Sequence, residues 1–213
     1  MCSPSFDISI LPYSISNVNP KNAYEVKKVQ FIFSMYIFYW VVAAIGLTIG
    51  FHRCISHREI KLNPILEAFT IYVGTIASAC SPLSWAGVHR MHHAYADTPR
   101  DPHSPKYKKW YQILFSTYRI KHIPRKFIKD LYKNPRVMFI HKNKWHLFAI
   151  TYFIAFMLNP LFVLYLILLL PISFISYGIL NYFGHDDNGA TNKWWINIFA
   201  PFEGNHNDHH EKK

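Results

Sequence analysis

Nine of the thirteen histidines in this 213-residue chain stand in four tight groups. His52 and His57 lie in "HRCISH", His89, His92 and His93 in "HRMHH", His185 closes "NYFGH", and His206, His209 and His210 lie in "HNDHH". Clustered imidazoles repel one another as they take up protons, but neutral ones solvate a divalent ion well, so metal binding is the chemistry this grouping serves. At about 100° per residue, the spacing i, i+3, i+4 puts three side chains on one helical face, pointing at a common point. The chain uses that spacing twice, in His89/His92/His93 and in His206/His209/His210, while Asn181 and His185 share a face at i and i+4. His52 and His57 are five apart and diverge by about 140° on an α-helix, so they either reach different ions or sit where the helix unwinds. A tetrahedral zinc site uses about four ligands, so nine imidazoles predict two ions. Imidazole alone does not choose among zinc, copper, iron and nickel.

Carboxylates near these groups can accept the second ring N–H and fix each imidazole's orientation. Asp97, Asp101 and Asp208 are candidates for that role, with Asp186 or Asp187 as further ones, and His103 in "DPHSP" joins them as a supporting residue. His122, His141 and His146 lack the grouping and are read as surface or interface residues.

Composition says what must position these side chains. The chain is 51% hydrophobic, yet carries 23 Lys and Arg against 12 Asp and Glu. A high apolar fraction beside a net charge of +11 fits a membrane protein with a basic face. The charge is segregated, with thirteen basic and two acidic residues between Arg100 and Lys144. Nucleic-acid binding is not supported, because this basic stretch is tied to membrane segments and contains no recognisable module. The opening "MCSPSFDISILPYS" lacks the charged region and cleavage pattern of a signal peptide. Cys2, Cys54 and Cys80 are too scattered for a disulfide framework and are read as free thiols.

These features predict an all-α integral membrane protein of one domain, with three to four transmembrane helices and a helical cytosolic cap that carries a di-metal histidine site. Val29 to Phe51 is uncharged and long enough to cross a hydrocarbon core of about 30 Å. Pro64 to Gly87 is a re-entrant or interfacial helix, and residues 88–145 form the basic cap. His146 to Gly184, with no charged side chain unless His146 is protonated, suits a two-span hairpin turning at Asn159-Pro160, with Pro171 as a tolerated kink. Residues 185–213 close the cap. Every histidine group lies where an apolar segment meets polar sequence. With the basic region and both ends of the hairpin facing the cytoplasm, all four groups fall on that side and become one site. Three residues follow His210, so the terminal segment is expected to be held by metal binding itself.

The ordered motifs "HRCISH", "HRMHH" and "HNDHH", with "SPLSWAGVHRMHHAYADTPRDPHSP" around the second, resemble the membrane-bound fatty acyl desaturases of the Δ9, stearoyl-CoA desaturase type. The resemblance runs from about Gly50 to His210. It implies two irons that activate O2 and remove two hydrogens from a saturated acyl chain, leaving a cis double bond. It also implies iron ligation by His52, His57, His89, His92, His93, His185, His206, His209 and His210, with Asn181 acting through a water. Trp85 matches a position that lines the bend of the acyl tunnel. The implied electron donor is a separate carrier such as cytochrome b5 or ferredoxin. Animal acyl-CoA members carry an Arg-Asp pair just before the second motif, where Gly87 and Val88 stand here, so CoA, acyl carrier protein and a glycerolipid all stay open as the acyl carrier. Two other readings are a di-iron hydroxylase or alkane monooxygenase, and a truncated, inactive relative that binds metal without turnover.

Overall fold

The structure is a computed structural model and describes residues 20–120 and 122–211. The segment "MCSPSFDISILPYS", with Cys2, lies outside the described residues. The chain divides into two units, Met1–Tyr36 and Ile37–Lys213. In the first, the described residues form the opening of helix α1 (Pro20–Val42). Everything that follows belongs to the second.

A capping side chain followed by proline starts most of the long helices. Asn63-Pro64 opens α2 (Pro64–Ser78), Ser81-Pro82 opens α3 (Pro82–Tyr95), Asn134-Pro135 opens α6 (Pro135–Leu158) and Asn159-Pro160 opens α7 (Pro160–Phe183). In each case the Asn or Ser oxygen accepts from amides of the first turn, while proline sits where its missing N–H costs nothing. The turn of the apolar hairpin is therefore where the Asn-Pro pair puts it. The first arm starts at Pro135, eleven residues before the uncharged stretch, because Arg136, Lys142 and Lys144 ride on its opening turns.

Helix α1 passes directly into a π-helical segment, Ala43–Ser56. Lys21–Ser56 and Pro160–Phe183 are long and apolar enough to cross a membrane. The stretch 64–87 falls across two helices, α2 and α3, bent by 82° at the break, where Ala79 takes a left-handed φ of 51°; the pair has the form of a broken span or a re-entrant loop. Among the described residues there are thus two candidate spans, or three if the bent pair counts as one. Short helices α4 (Trp110–Leu114) and α5 (Ser116–Arg119) lie in the basic region. Beyond α7 come a two-stranded hairpin, β1 (His185–Asp186) and β2 (Gly189–Ala190), and a final helix α8 (His206–Glu211). Cys54 and Cys80 are buried.

The π segment and α2 touch backbone to backbone. A Cβ on Gly46 would stand 2.4 Å from the Gly74 nitrogen, and one on Gly74 would stand 2.5 Å from the Gly46 oxygen. Small residues let helices approach this closely where lipid offers no competing hydrophobic drive. Arg90 then ties the end of the π segment to α3 and the cap. Its guanidinium donates to Ile55 O at 2.6 Å, Ser56 O at 2.8 Å, Phe127 O at 2.7 Å and both Asp130 oxygens at 2.7 and 3.0 Å. Partial burial pushes the Asp130 carboxyl up, but hydrogen bonds from Arg90 and Arg58 outweigh it and hold the group at about 2.

The terminal segment is held by the fold rather than by metal alone. The Tyr39 hydroxyl donates to Phe199 O, Trp40 Nε1 to Asn197 O at 3.2 Å and Thr48 Oγ1 to Pro201 O at 2.9 Å. Asn192 Oδ1 accepts from the amides of Asn207 at 2.8 Å and Asp208 at 3.3 Å, which fixes the first turn of α8.

The Gly46–Gly74 approach yields a direct test. Gly46→Val must push backbone away from backbone, at a cost of about 3 kcal/mol, the upper end of overpacking. Thermal unfolding of the detergent-solubilised protein, followed by circular dichroism, should show a clearly lowered midpoint. An unchanged midpoint would show that the two helices do not meet there.

Candidate metal centre

The nine grouped histidines converge from four segments and sort into two sets. His52, His57, His89, His93 and His209 have ring nitrogens all within 4.8 Å of one another, and so do His92, His185, His206 and His210. Either set could hold a metal ion.

The sorting follows helix geometry. In each triad the i and i+4 imidazoles go to one set and the i+3 imidazole to the other, because i+4 lies about 40° to one side of i while i+3 lies about 60° to the other. Thus α3 gives His89 and His93 to the first set and His92 to the second, whereas α8 gives His206 and His210 to the second and His209 to the first. The expectation that each triad points at one common point is corrected by this split. His52 and His57 fall in the same set because the helix between them is π-wound, closed by a His57 N→His52 O bond of 3.0 Å. The i→i+5 winding brings residues five apart back onto one face, where an α-helix would splay them.

The geometry suits cations. In the first set the Nε2–Nε2 separations are 2.7 Å for His57–His89, 2.9 Å for His52–His209, 3.0 Å for His89–His93 and for His57–His209, and 3.2 Å for His93–His209. Two ligands at right angles on an ion with a metal–nitrogen distance of about 2.1 Å would stand about 3.0 Å apart. Hydrogen bonds among the rings cannot replace the ion. His209 Nε2 faces three other Nε2 atoms, and a single ring N–H satisfies one of them. Charging the rings is no remedy either: burial, then the neighbouring imidazoles led by His210, hold His206 well below the usual histidine range. Its Nδ1 is buried without a hydrogen-bond partner among the described residues.

Carboxylates set the tautomers. Glu203 Oε1 lies 2.8 Å from His52 Nδ1, Asp101 Oδ1 lies 2.8 Å from His92 Nδ1, and both Asp97 oxygens lie 3.1 Å from His185 Nδ1. A carboxylate only accepts, so in each ring Nδ1 keeps the proton and Nε2 turns a lone pair toward the set. Asp101, fully buried, is itself fixed by the amides of Asp97 at 3.0 Å and His103 at 2.8 Å.

Other expected residues fall in different places. Asp208 is exposed and accepts from Asn192 Nδ2 at 2.6 Å, so it supports no imidazole. Asp186 and Asp187 are exposed, as are His122 and His146, while His141 Nδ1 lies 2.5 Å from Ser81 Oγ. His103 Nδ1 is 2.8 Å from Ser116 Oγ and 3.5 Å from Asn181 Nδ2, which places Asn181 beside His103. Burial lowers His103 to about 4. Glu203 and Glu59, whose Oε1 lies 3.5 Å from His209 Nδ1, escape the sequence reading. For Glu203 a signal was present, since a lone acid stands three residues before His206.

Trp85 stacks on His89 with ring centres 5.0 Å apart and an interplanar angle of 18°. With His52, His89 and His206 it lines a cavity that Leu47, Ile113, Phe174, Tyr177 and Leu180 also line, together with the polar side chains of Ser116, Ser173 and Asn181. Imidazoles from both sets and apolar side chains thus share one cavity.

Comparison with known proteins agrees with this architecture. The family model described as fatty acid desaturase matches residues 32–212. The sn-1 stearoyl-lipid 9-desaturase of Anabaena variabilis is 30% identical over 199 residues, covering 82% of this chain and 69% of the relative. The enzyme of the same name from Synechocystis sp. is 31% identical over 189 residues, covering 82% and 59%. Delta-9 acyl-lipid desaturase 2 of Arabidopsis thaliana is 27% identical over 187 residues, covering 81% and 61%. This chain therefore spans about three fifths to two thirds of the length of these relatives. The match takes in all four histidine-bearing segments and the helices between them, and the chain belongs to the fatty acid desaturase family.

Proposed function

We propose that this protein is an O2-dependent acyl desaturase that introduces a cis double bond, at the Δ9 position, into a saturated chain. The observation that carries the reading is the pair of imidazole sets, five and four strong, with His52 and His89 of one and His206 of the other lining a cavity shared with Leu47, Phe174 and Leu180. The nine histidines would hold two irons, with Asn181 lining the cavity as a site for a bound water. Bound iron supplies the redox power that O2 activation needs, which zinc lacks.

The chain's own residues do the rest. Glu203, Asp101 and Asp97 hold ring protons on Nδ1, so the lone pairs of His52, His92 and His185 face inward. The cavity wall shields the acyl chain from water, and Trp85, packed on His89, would line the bend where the chain passes that imidazole. Overall, the two hydrogens removed from adjacent methylenes, with two electrons and two protons from outside, reduce one O2 to two waters. A carrier of the cytochrome b5 or ferredoxin type would deliver the electrons, meeting the basic cap on the cytoplasmic side. The names of the three relatives support an acyl lipid over acyl-CoA or acyl carrier protein as substrate, and all three specify position 9.

The test is the fatty-acid profile of a host lacking its own Δ9 desaturase. The wild-type chain should restore monounsaturated acyl chains, whereas His89→Ala, His93→Ala, His206→Ala or His210→Ala should bring them to background and His122→Ala should leave most activity. Hydroxylated products alone would favour the monooxygenase reading, and a full profile from His206→Ala would exclude α8 from the site. Glu203→Gln should weaken iron binding by about 10–100-fold without unfolding the protein. Wild-type iron content under chelator challenge would show that the Glu203–His52 contact is incidental.

A further inference from the structure

A second space lies beside the cavity. It is an open apolar groove on the outer face of α7, lined by Trp110, Ile175, Ile179, Tyr182 and Phe183, and it shares two wall residues with the cavity, Leu114 and Gly178. A Cβ on Gly178 would stand 2.5 Å from Leu114 Cδ1, with the next atom of that side chain 3.7 Å away. Between groove and cavity, then, one flexible side chain lies against bare helix backbone. Leu114 is the last residue of the five-residue α4, so its rotation disturbs no helical turn beyond it.

We propose that Leu114 and Gly178 form a lateral gate through which the acyl chain of a membrane glycerolipid passes from the bilayer into the cavity. The occupant follows from the surroundings. Helix α7 is apolar enough to stand in lipid, and Ile175 and Phe183 beside the gate are exposed. Trp110 and Tyr182 on the rim carry the amphipathic rings favoured at headgroup depth. None of the groove residues is charged, so nothing there would hold the phosphates of a water-borne CoA thioester. The cavity that the gate would open into is lined by Phe174, Tyr177, Trp85 and His89. That the cargo is an acyl chain rests on the desaturase reading. The route rests on the shared wall.

A reversible cross-link tests it. An added Cβ at Gly178 would lie 3.8 Å from Leu114 Cα, within disulfide reach, and Cys54 and Cys80 are buried. The double variant Leu114→Cys/Gly178→Cys, on a Cys2→Ser background, is reconstituted in phosphatidylcholine vesicles whose acyl chains carry a diazirine. After photolysis, adducts are located by mass spectrometry. In the reduced protein, adducts should appear both outside the gate, on Trp110 and Tyr182, and inside it, on Trp85 and Tyr177. Oxidation should cut the inner adducts at least tenfold while sparing the outer ones, and reductant should restore them. In a single-variant check, Leu114→Ala should raise inner labelling in the absence of any cross-link. Inner adducts unchanged by a confirmed cross-link, or obtained only from a diazirine acyl-CoA added in water, would overturn the gate. Labelling does not depend on turnover: inner adducts that respond to the cross-link in a protein making no double bond would reject the desaturase reading and leave the gate standing.

Discussion

Repulsion among converging lone pairs governs this molecule. Five Nε2 atoms separated by as little as 2.7 Å have too few protons to bond one another, and they stay together only around positive charge. Most of what is unusual in the fold serves to bring them there. The π winding returns His57 to the face of His52, the break at Ala79 turns α3 by 82° so that its histidines meet that face, and the clamp from Thr48 and Tyr39 to the terminal segment brings in α8. Arg90 closes the arrangement by bonding the last carbonyls of the π segment from within the second histidine motif itself. A residue between two grouped histidines is thus a strut for the segment that carries two more.

The second constraint is lipid. A site for an unactivated hydrocarbon must be dry and apolar, and it must also present nine polar rings. The protein meets both demands in one cavity, where Leu47, Phe174 and Leu180 line the same space as His52, His89 and His206. Between helices, close approach substitutes for hydrophobic drive, as at Gly46 and Gly74. The same economy at Gly178 leaves a single leucine between the interior and the outer face of α7.

Much of this was legible in the residues. The i, i+3, i+4 spacing marks the histidine groups, and their total of nine predicts two ions, an expectation with which the two imidazole sets are compatible. Asn159-Pro160 marks the hairpin turn, and Asp97 and Asp101 lie close enough to the second motif to be identified as ring supports. What escaped has physical causes. A spacing of five reads as divergence unless the helix is π-wound, and nothing in "HRCISH" announces that winding. Each triad shares a face yet divides between two imidazole sets, a distinction of some tens of degrees that only the partner helices settle. The start of α6 was hidden because charge, the signal used for a membrane boundary, continues into its opening turns at Arg136, Lys142 and Lys144. Glu203, three residues before His206, offers proximity in sequence but no periodicity, and proximity alone misleads at Asp208, whose side chain turns outward to Asn192.

The central claim is that the nine imidazoles enclose two metal ions in sets of five and four. Iron-edge X-ray absorption on the reduced, metal-replete protein measures this most directly. The account predicts two irons per chain with first shells dominated by imidazole nitrogen, at an average of four to five per ion, and a loss of about one nitrogen from one ion alone in His92→Ala. A single iron per chain, or first shells made mainly of oxygen, would contradict it.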